Sequence, residues 1–299
     1  MTACSDFFDE PLPGTALEAT RWVCVEFSHG WGHDALDGHA LGEELASQIK
    51  AHMNAHNARF QFIREPGRDG QDASGHRVLV AESTPGNEAL YATTINSVSD
   101  LLSLDVSHPE TIPGATALDS PVALICTHGK RDVCCALKGR PVAALLSQHA
   151  SGSTEGADAP ETTSARVWET SHTGGHRFAP AMIVLPWGFT YGRAGAQVAR
   201  QIWDLAVDGQ VELDLLRGRS AFSKPGQAAE VAVRSRFHLT GVADVVAVEN
   251  TSETVFRVVC ADGSAHSVEV VQTVSDLPAR PATCGKGEKE VKVFRATLL

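Results

Sequence analysis

The stretch PVALICTHGKRDVCC, residues 121–135, opens as an apolar run and closes on two adjacent cysteines. A short apolar run bounded by turn residues suits a buried strand, so residues 121–126 read as a strand ending at Cys126. Asp132 follows the turn and is a good N-cap, which puts Cys135 third in the next helix. A thiol there meets free backbone N–H groups and the positive end of the helix dipole. Lys130 and Arg131 add positive charge, and all three effects favour thiolate at Cys135. Cys134 and Cys135 would point about 100° apart on a helix, so the two are not expected to face one metal. The helix continues in part through CCALKGRPVAALLSQH (134–149), with Gly139 and Pro141 weakening its middle.

Working outward, SGSTEGADAPETTS (151–164) has linker composition and is expected to be mobile. RVWET (166–170), PAMIVLP (180–186) and FTYGR (189–193) read as strands, with a tight turn at Trp187-Gly188 and a helix over 195–209. Upstream, the same order appears: a strand at 21–27, a helix over 37–57, strands at 59–65, 76–82 and 90–96, then helical SVSDLLSL. Both halves thus read β-α-β-β-β-α, an order that suits a mixed sheet flanked by helices, as in thioredoxin-like folds. The tail from Lys224 gives one helix and then strands. The expected fold class is α/β (α+β): tandem thioredoxin-like units with mixed sheets flanked by helices, plus a small C-terminal α+β extension. Their expected bounds are 1–112, 118–222 and 223–299.

Composition excludes several functions. The 299-residue chain is 43% hydrophobic, ordinary for a globular protein and too apolar for general disorder. A net charge of −11 argues against nucleic-acid binding and against docking on anionic lipid. No apolar run approaches the ~20 residues of a membrane span. The acidic opening MTACSDFFDEPLPG lacks the pattern of a signal peptide. Seven cysteines, an odd number without an export signal, read as cytoplasmic thiols or metal ligands. No phosphate-binding loop or dinucleotide fingerprint appears.

SHTGGH (171–176) follows the cysteine stretch and carries His172 and His176. Two glycines between them rule out a continuous helix and imply a tightly curled loop whose backbone N–H groups approach something closely, such as sulfide or another anion. Two thiols and two imidazoles at loops of one unit would suit a four-ligand site, where neither pair alone points to one. Cys4, Cys24, Cys260 and Cys284 read as structural thiols, and His29 and His33 as polar loop residues. Arg177 and Arg193 read as solvated surface flanking the histidine loop, and GEKEVKVFR (287–295) as a charged strand edge.

CTHGKRDVCC with GRP, followed by VWETSHTGGHRFAPAMIVLPWGFTYGR, strongly resembles the sucrase/ferredoxin-like family. CSDFFDEPLPGTA and RWVCVEFSHGWGHDAL resemble that family's opening, so the resemblance runs from about residue 4 to residue 220. It implies a thioredoxin-like ferredoxin with a 2Fe–2S cluster held by two cysteines and two histidines. The cysteines map to Cys126 and Cys135, because the family's second cysteine stands three residues beyond an Arg-Asp pair, here Arg131-Asp132. The histidines map to His172 and His176. Cys134 departs from the pattern as a competing thiol. The leading expectation is electron transfer between redox donor and acceptor proteins, with neither nucleic acid nor membrane as partner. The rivals are a structural zinc site on the same four residues and a thiol-based redox enzyme using Cys134 or Cys135.

Overall fold

The apolar runs become the central strands of one ten-stranded mixed sheet. The computed structural model describes residues 3–68, 70–71, 75–152 and 166–299, so residues 153–164 of the linker stretch lie outside the described residues. The first half supplies β1 (Arg21–Glu26), α1 (Glu43–Ala55), β2 (Ala58–Arg64), β3 (His76–Glu82), β4 (Ala89–Ile95) and β5 (Thr116–Ala117). The second supplies β6 (Val122–Cys126), α2 (Val133–Gly152), β7 (Val167–Thr170), β8 (Met182–Leu185), β9 (Phe189–Tyr191), α3 (Ala196–Val207) and β10 (Leu216–Arg219). The spatial order is β10-β9-β8-β6-β7-β2-β1-β3-β4-β5. In each half the first strand pairs parallel with the strand after the helix and antiparallel with the next one.

Separate sheets were expected, and the structure instead joins them. β2 and β7 pair antiparallel, with Ile63 opposite Thr170 and Arg64 opposite Glu169. Each would otherwise be an open edge with unpaired backbone groups, so the join removes two edges at once. The buried Arg64 Nε lies 2.8 Å from Glu169 Oε2, which also accepts from Thr127 Oγ1 at 3.0 Å. The Arg64 guanidinium stacks over Trp31 at 4.5 Å.

Alternation along β1 shows how both faces are covered. Val23 and Val25 face the core formed with Ile49 and Met53 of α1, whereas Trp22 and Cys24 pack with Ile63, Leu124 and Trp168 on the other side. In the second half, Val142 and Leu146 of α2 and Ile202 and Trp203 of α3 pack on Ala123, Ile125, Met182 and Val184.

Several boundaries differ from expectation for local reasons. α1 starts at Glu43 and not near residue 37, because Gly38 and Gly42 take φ of +84° and +80°, outside the helical region. SVSDLLSL forms a 3₁₀ turn, Val98–Ser103, in place of an α-helix. The short strands β5 and β10 carried too little pattern to be found. α2 runs unbroken through Gly139 and Pro141. Gly139 is required by packing, since a Cβ there would sit 2.2 Å from the carbonyl oxygen of Cys126.

After α4 (Lys224–Phe237), the strands β11 (Val245–Asn250), β12 (Val255–Cys260), β13 (Ala265–Val274) and β16 (Lys292–Leu298) form an antiparallel sheet in the order β11-β12-β13-β16. Between β13 and β16 a small hairpin pairs β14 (Arg280–Pro281) with β15 (Glu288–Lys289), also unanticipated. The charged 287–295 stretch does end in an edge strand, β16. Among the described residues, no helix is long and apolar enough to cross a membrane.

Candidate metal centre

Cys126 closes β6, and its N–H donates to the carbonyl of Ala181 at 3.0 Å. After the turn, Asp132 caps α2 as expected: its Oδ1 accepts from the backbone N–H of Cys134 at 3.0 Å. Cys135 is the third residue of the helix and is buried. The basic residues of the turn face away. Lys130 Nζ lies 2.9 Å from His39 Nε2, and Arg131 Nη1 bonds Asp34 and His33 at 3.0 Å.

His128, which sequence reading passed over, ties three loops together. Its Nε2 donates to the carbonyl of Gly32 at 2.7 Å, and its Nδ1 accepts from the backbone N–H of His172 at 3.0 Å. Those two bonds require the neutral tautomer with the proton on Nε2. Burial accordingly holds His128 below the ordinary histidine value. A first-half loop therefore positions both the cysteine turn and the histidine loop.

In the histidine loop, Gly174 and Gly175 take φ of +76° and +69°. A Cβ on Gly175 would come within 2.3 Å of Arg217 Nη2, and one on Gly174 within 3.1 Å of Leu17. The glycines are thus required by backbone conformation and by packing against the chain itself. Arg217 is fully buried, donates from Nε to Thr15 Oγ1 at 3.0 Å and from Nη1 to the carbonyl of Gly174 at 3.1 Å, and also bonds the carbonyl of Thr15. Burial lowers it to about 9, with Arg177 next among the causes, so it stays cationic at neutral pH. No periodicity or motif marked it.

The ligand atoms of Cys126, Cys135 and His172 lie within 4.8 Å of one another. His176 is not in that set. Its ring centroid lies 5.1 Å from that of His172, and its Nε2 is 3.0 Å from Thr283 Oγ1 and 3.6 Å from Asp132 Oδ2. The Nδ1 atoms of His172 and His176 are both buried with no hydrogen-bond partner. A hydrogen bond from Cys135 holds the Cys126 thiol well below the ordinary range, against the opposing effect of burial, and His172 adds to it. That bond, followed by burial, pushes Cys135 up. The thiol that is lowered is thus Cys126 and not, as the helix dipole suggested, Cys135. The reason is that Cys135 becomes the donor while Lys130 and Arg131 spend their charge elsewhere.

The sucrase/ferredoxin-like profile matches residues 12–218. The chain belongs to the sucrase/ferredoxin-like family. Neither the curated proteins nor the solved structures searched gave a match. The family-matched region contains Cys126, Cys135, His172 and His176, and the residues present fit a metal group: two buried thiols and the His172 imidazole converge, and the Nδ1 atoms of His172 and His176 are buried without partners.

Other expectations changed with the fold. Arg177 Nε donates to Glu10 Oε1 at 2.7 Å, and Arg193 Nη2 donates to the carbonyl of Glu10 at 2.7 Å, so both bind the N-terminal segment rather than solvent. Cys134, on the other side of α2 from Cys135, meets Cys4 and Cys284, two thiols that read as isolated in the sequence. Cys24 and Cys260 stay in apolar cores.

Proposed function

We propose that this sucrase/ferredoxin-like protein transfers electrons through a 2Fe–2S cluster held by Cys126, Cys135, His172 and His176. The observation that carries the reading is the convergence of Cys126, Cys135 and His172, with the Nδ1 atoms of His172 and of neighbouring His176 both buried without partners. Leaving a buried acceptor or donor unpaired costs about 1–3 kcal/mol each, so two in one loop of six residues call for a shared ligand. When bound, the cluster supplies one-electron redox capacity. The chain's own residues would do the rest. Cys126 already favours thiolate, the ligand form. His128 fixes the histidine loop, and Arg217 places a buried cation beside it, which favours an anionic centre.

The matching strand order of the two halves supports two thioredoxin-like units, residues 1–112 without a cluster and 118–222 with it, followed by the 223–299 extension. The partners would be a donor and an acceptor protein.

Iron and labile sulfide analysis, with visible and electron paramagnetic resonance spectra of anaerobically purified protein, tests the cluster. Two imidazoles in place of two thiolates remove two negative charges, so the potential should fall at or near the roughly −150 to +300 mV of Rieske centres, above the ~−400 mV of plant-type ferredoxins. Reduction raises the basicity of the ligand imidazoles, so the potential should fall by up to ~59 mV per pH unit at high pH. A colourless protein from iron-replete cells would overturn the proposal. A flat potential from about pH 6 to pH 10 would remove the two histidines from it.

A further inference from the structure

We infer that the chain carries a second metal site, a structural zinc bound by Cys4, Cys134, Cys284 and Asp132. This is independent of the cluster reading, and two of its residues, Cys4 and Cys284, lie outside the family-matched region.

Three thiols from remote parts of the chain meet at the first turn of α2. Cys4 comes from a 3₁₀ turn, Cys4–Asp6, Cys134 is the second residue of α2, and Cys284 lies between β14 and β15. The Sγ separations are 3.6 Å for Cys4–Cys134, 3.4 Å for Cys4–Cys284 and 3.0 Å for Cys134–Cys284. Asp132 Oδ2 lies 3.6 Å from Cys4 Sγ, and the ligand atoms of all four residues fall within 4.8 Å of one another. With Zn–S near 2.3 Å, sulfurs at the corners of a tetrahedron stand about 3.8 Å apart. The three sulfurs, at 3.0–3.6 Å, therefore form a contracted face of such a tetrahedron that a bound ion would widen, and the carboxylate is placed for its fourth corner.

A disulfide accounts for the contact less well. It would join two of the sulfurs and leave a third thiol and a fully buried carboxylate beside it. His176 Nε2 stands 3.6 Å from that carboxylate. Buried charge is retained where it is paired or binds metal. Three soft sulfurs and one oxygen, with only Cys284 partly exposed, select zinc over magnesium or calcium, and a complete four-ligand set makes the site structural.

The surrounding backbone is arranged to hold this set. The N–H of Cys4 donates to Cys284 Sγ at 3.4 Å, that of Cys284 to Asp132 Oδ2 at 2.9 Å, and that of Cys134 to Asp132 Oδ1 at 3.0 Å. Such donors orient ligands and offset their negative charge. Zinc here would pin the N-terminal segment and the C-terminal hairpin region to α2, one residue from Cys135. It would also hold Thr283 against His176.

The test is a metal count on the full chain, purified from cells supplied with iron and zinc and passed over a chelating resin. One zinc per chain should remain, with a zinc K-edge spectrum of three sulfurs near 2.3 Å and one oxygen. Cys4→Ser and Cys284→Ser should each lower retained zinc by about tenfold or more while keeping the iron content and visible spectrum of the parent. Cys126→Ser should do the reverse, losing iron and keeping zinc. Because serine variants are open to misfolding, alkylation of the unaltered chain gives a second readout: Cys4, Cys134 and Cys284 should be protected until zinc is stripped. A zinc-free protein with full iron, or a Cys134–Cys284 disulfide found by peptide mass, overturns the zinc site and leaves the cluster reading standing. Zinc that leaves with Cys126→Ser and stays with Cys284→Ser overturns both.

Discussion

Replacing Gly175 by alanine should be far more damaging than the same change at Gly86, although both residues have positive φ, +69° and +81°. A non-glycine residue in the left-handed region costs about 1–2 kcal/mol wherever it occurs. At Gly86 that is the whole effect, since a Cβ there meets nothing within 4 Å. At Gly175 the Cβ would lie 2.3 Å from Arg217 Nη2 and 2.9 Å from its Cζ. The guanidinium has no room to yield cheaply, because it is buried and bonded to Thr15 and Gly174. Losing one hydrogen bond from a charged group costs about 1.5–3 kcal/mol, which brings the total for Gly175→Ala to roughly 3–5 kcal/mol. Urea unfolding of the two variants beside the parent, with iron counted in each sample, measures the difference as a shift in midpoint at constant slope. The Gly175 variant should also lose iron, since its loop carries His172 and His176. If the two variants fall within about 1 kcal/mol of each other and hold equal iron, Arg217 does not clamp this loop and the packing argument fails.

Three further outcomes are expected. Cys135→Ser should abolish the iron signal whereas Cys134→Ser should retain it, since the two thiols face different clusters of residues; a native visible spectrum for Cys135→Ser with loss in Cys134→Ser would reverse the assignment. Arg64→Met should destabilise the protein by about 3–5 kcal/mol by leaving Glu169 buried without its cation, and Glu169→Leu added to it should recover part of that loss; a double variant no more stable than the single one in urea would show that the ion pair is not what matters at the β2/β7 seam. The Arg280 hydrogen bond holds the Asp9 carboxyl below the usual range. Its contribution is complete above the unfolded value of about 4 and disappears as pH falls through the lower folded value, so Asp9→Asn should lower the thermal midpoint at neutral pH, leave it unchanged below the folded value, and so flatten the acid limb. An unaltered acid limb would refute that pairing's role.

Local sequence determined the elements around the site. Apolar run length set β6, the Asp132 cap set the start of α2, and adjacency on a helix sent Cys134 and Cys135 to different sides. The paired glycines likewise dictated a left-handed turn between His172 and His176. These features depend on a few neighbouring residues, so periodicity, capping and φ preference reveal them. Tertiary structure decided what those elements meet. The join of β2 to β7, the reach of His128 to Gly32, the burial of Arg217 under Gly175 and the meeting of Cys4 with Cys284 across most of the chain leave no local pattern. Each depends on which edges and faces come together once the cores close, and an isolated cysteine or arginine reads alike in sequence whether its eventual neighbour is solvent, a carboxylate or another thiol.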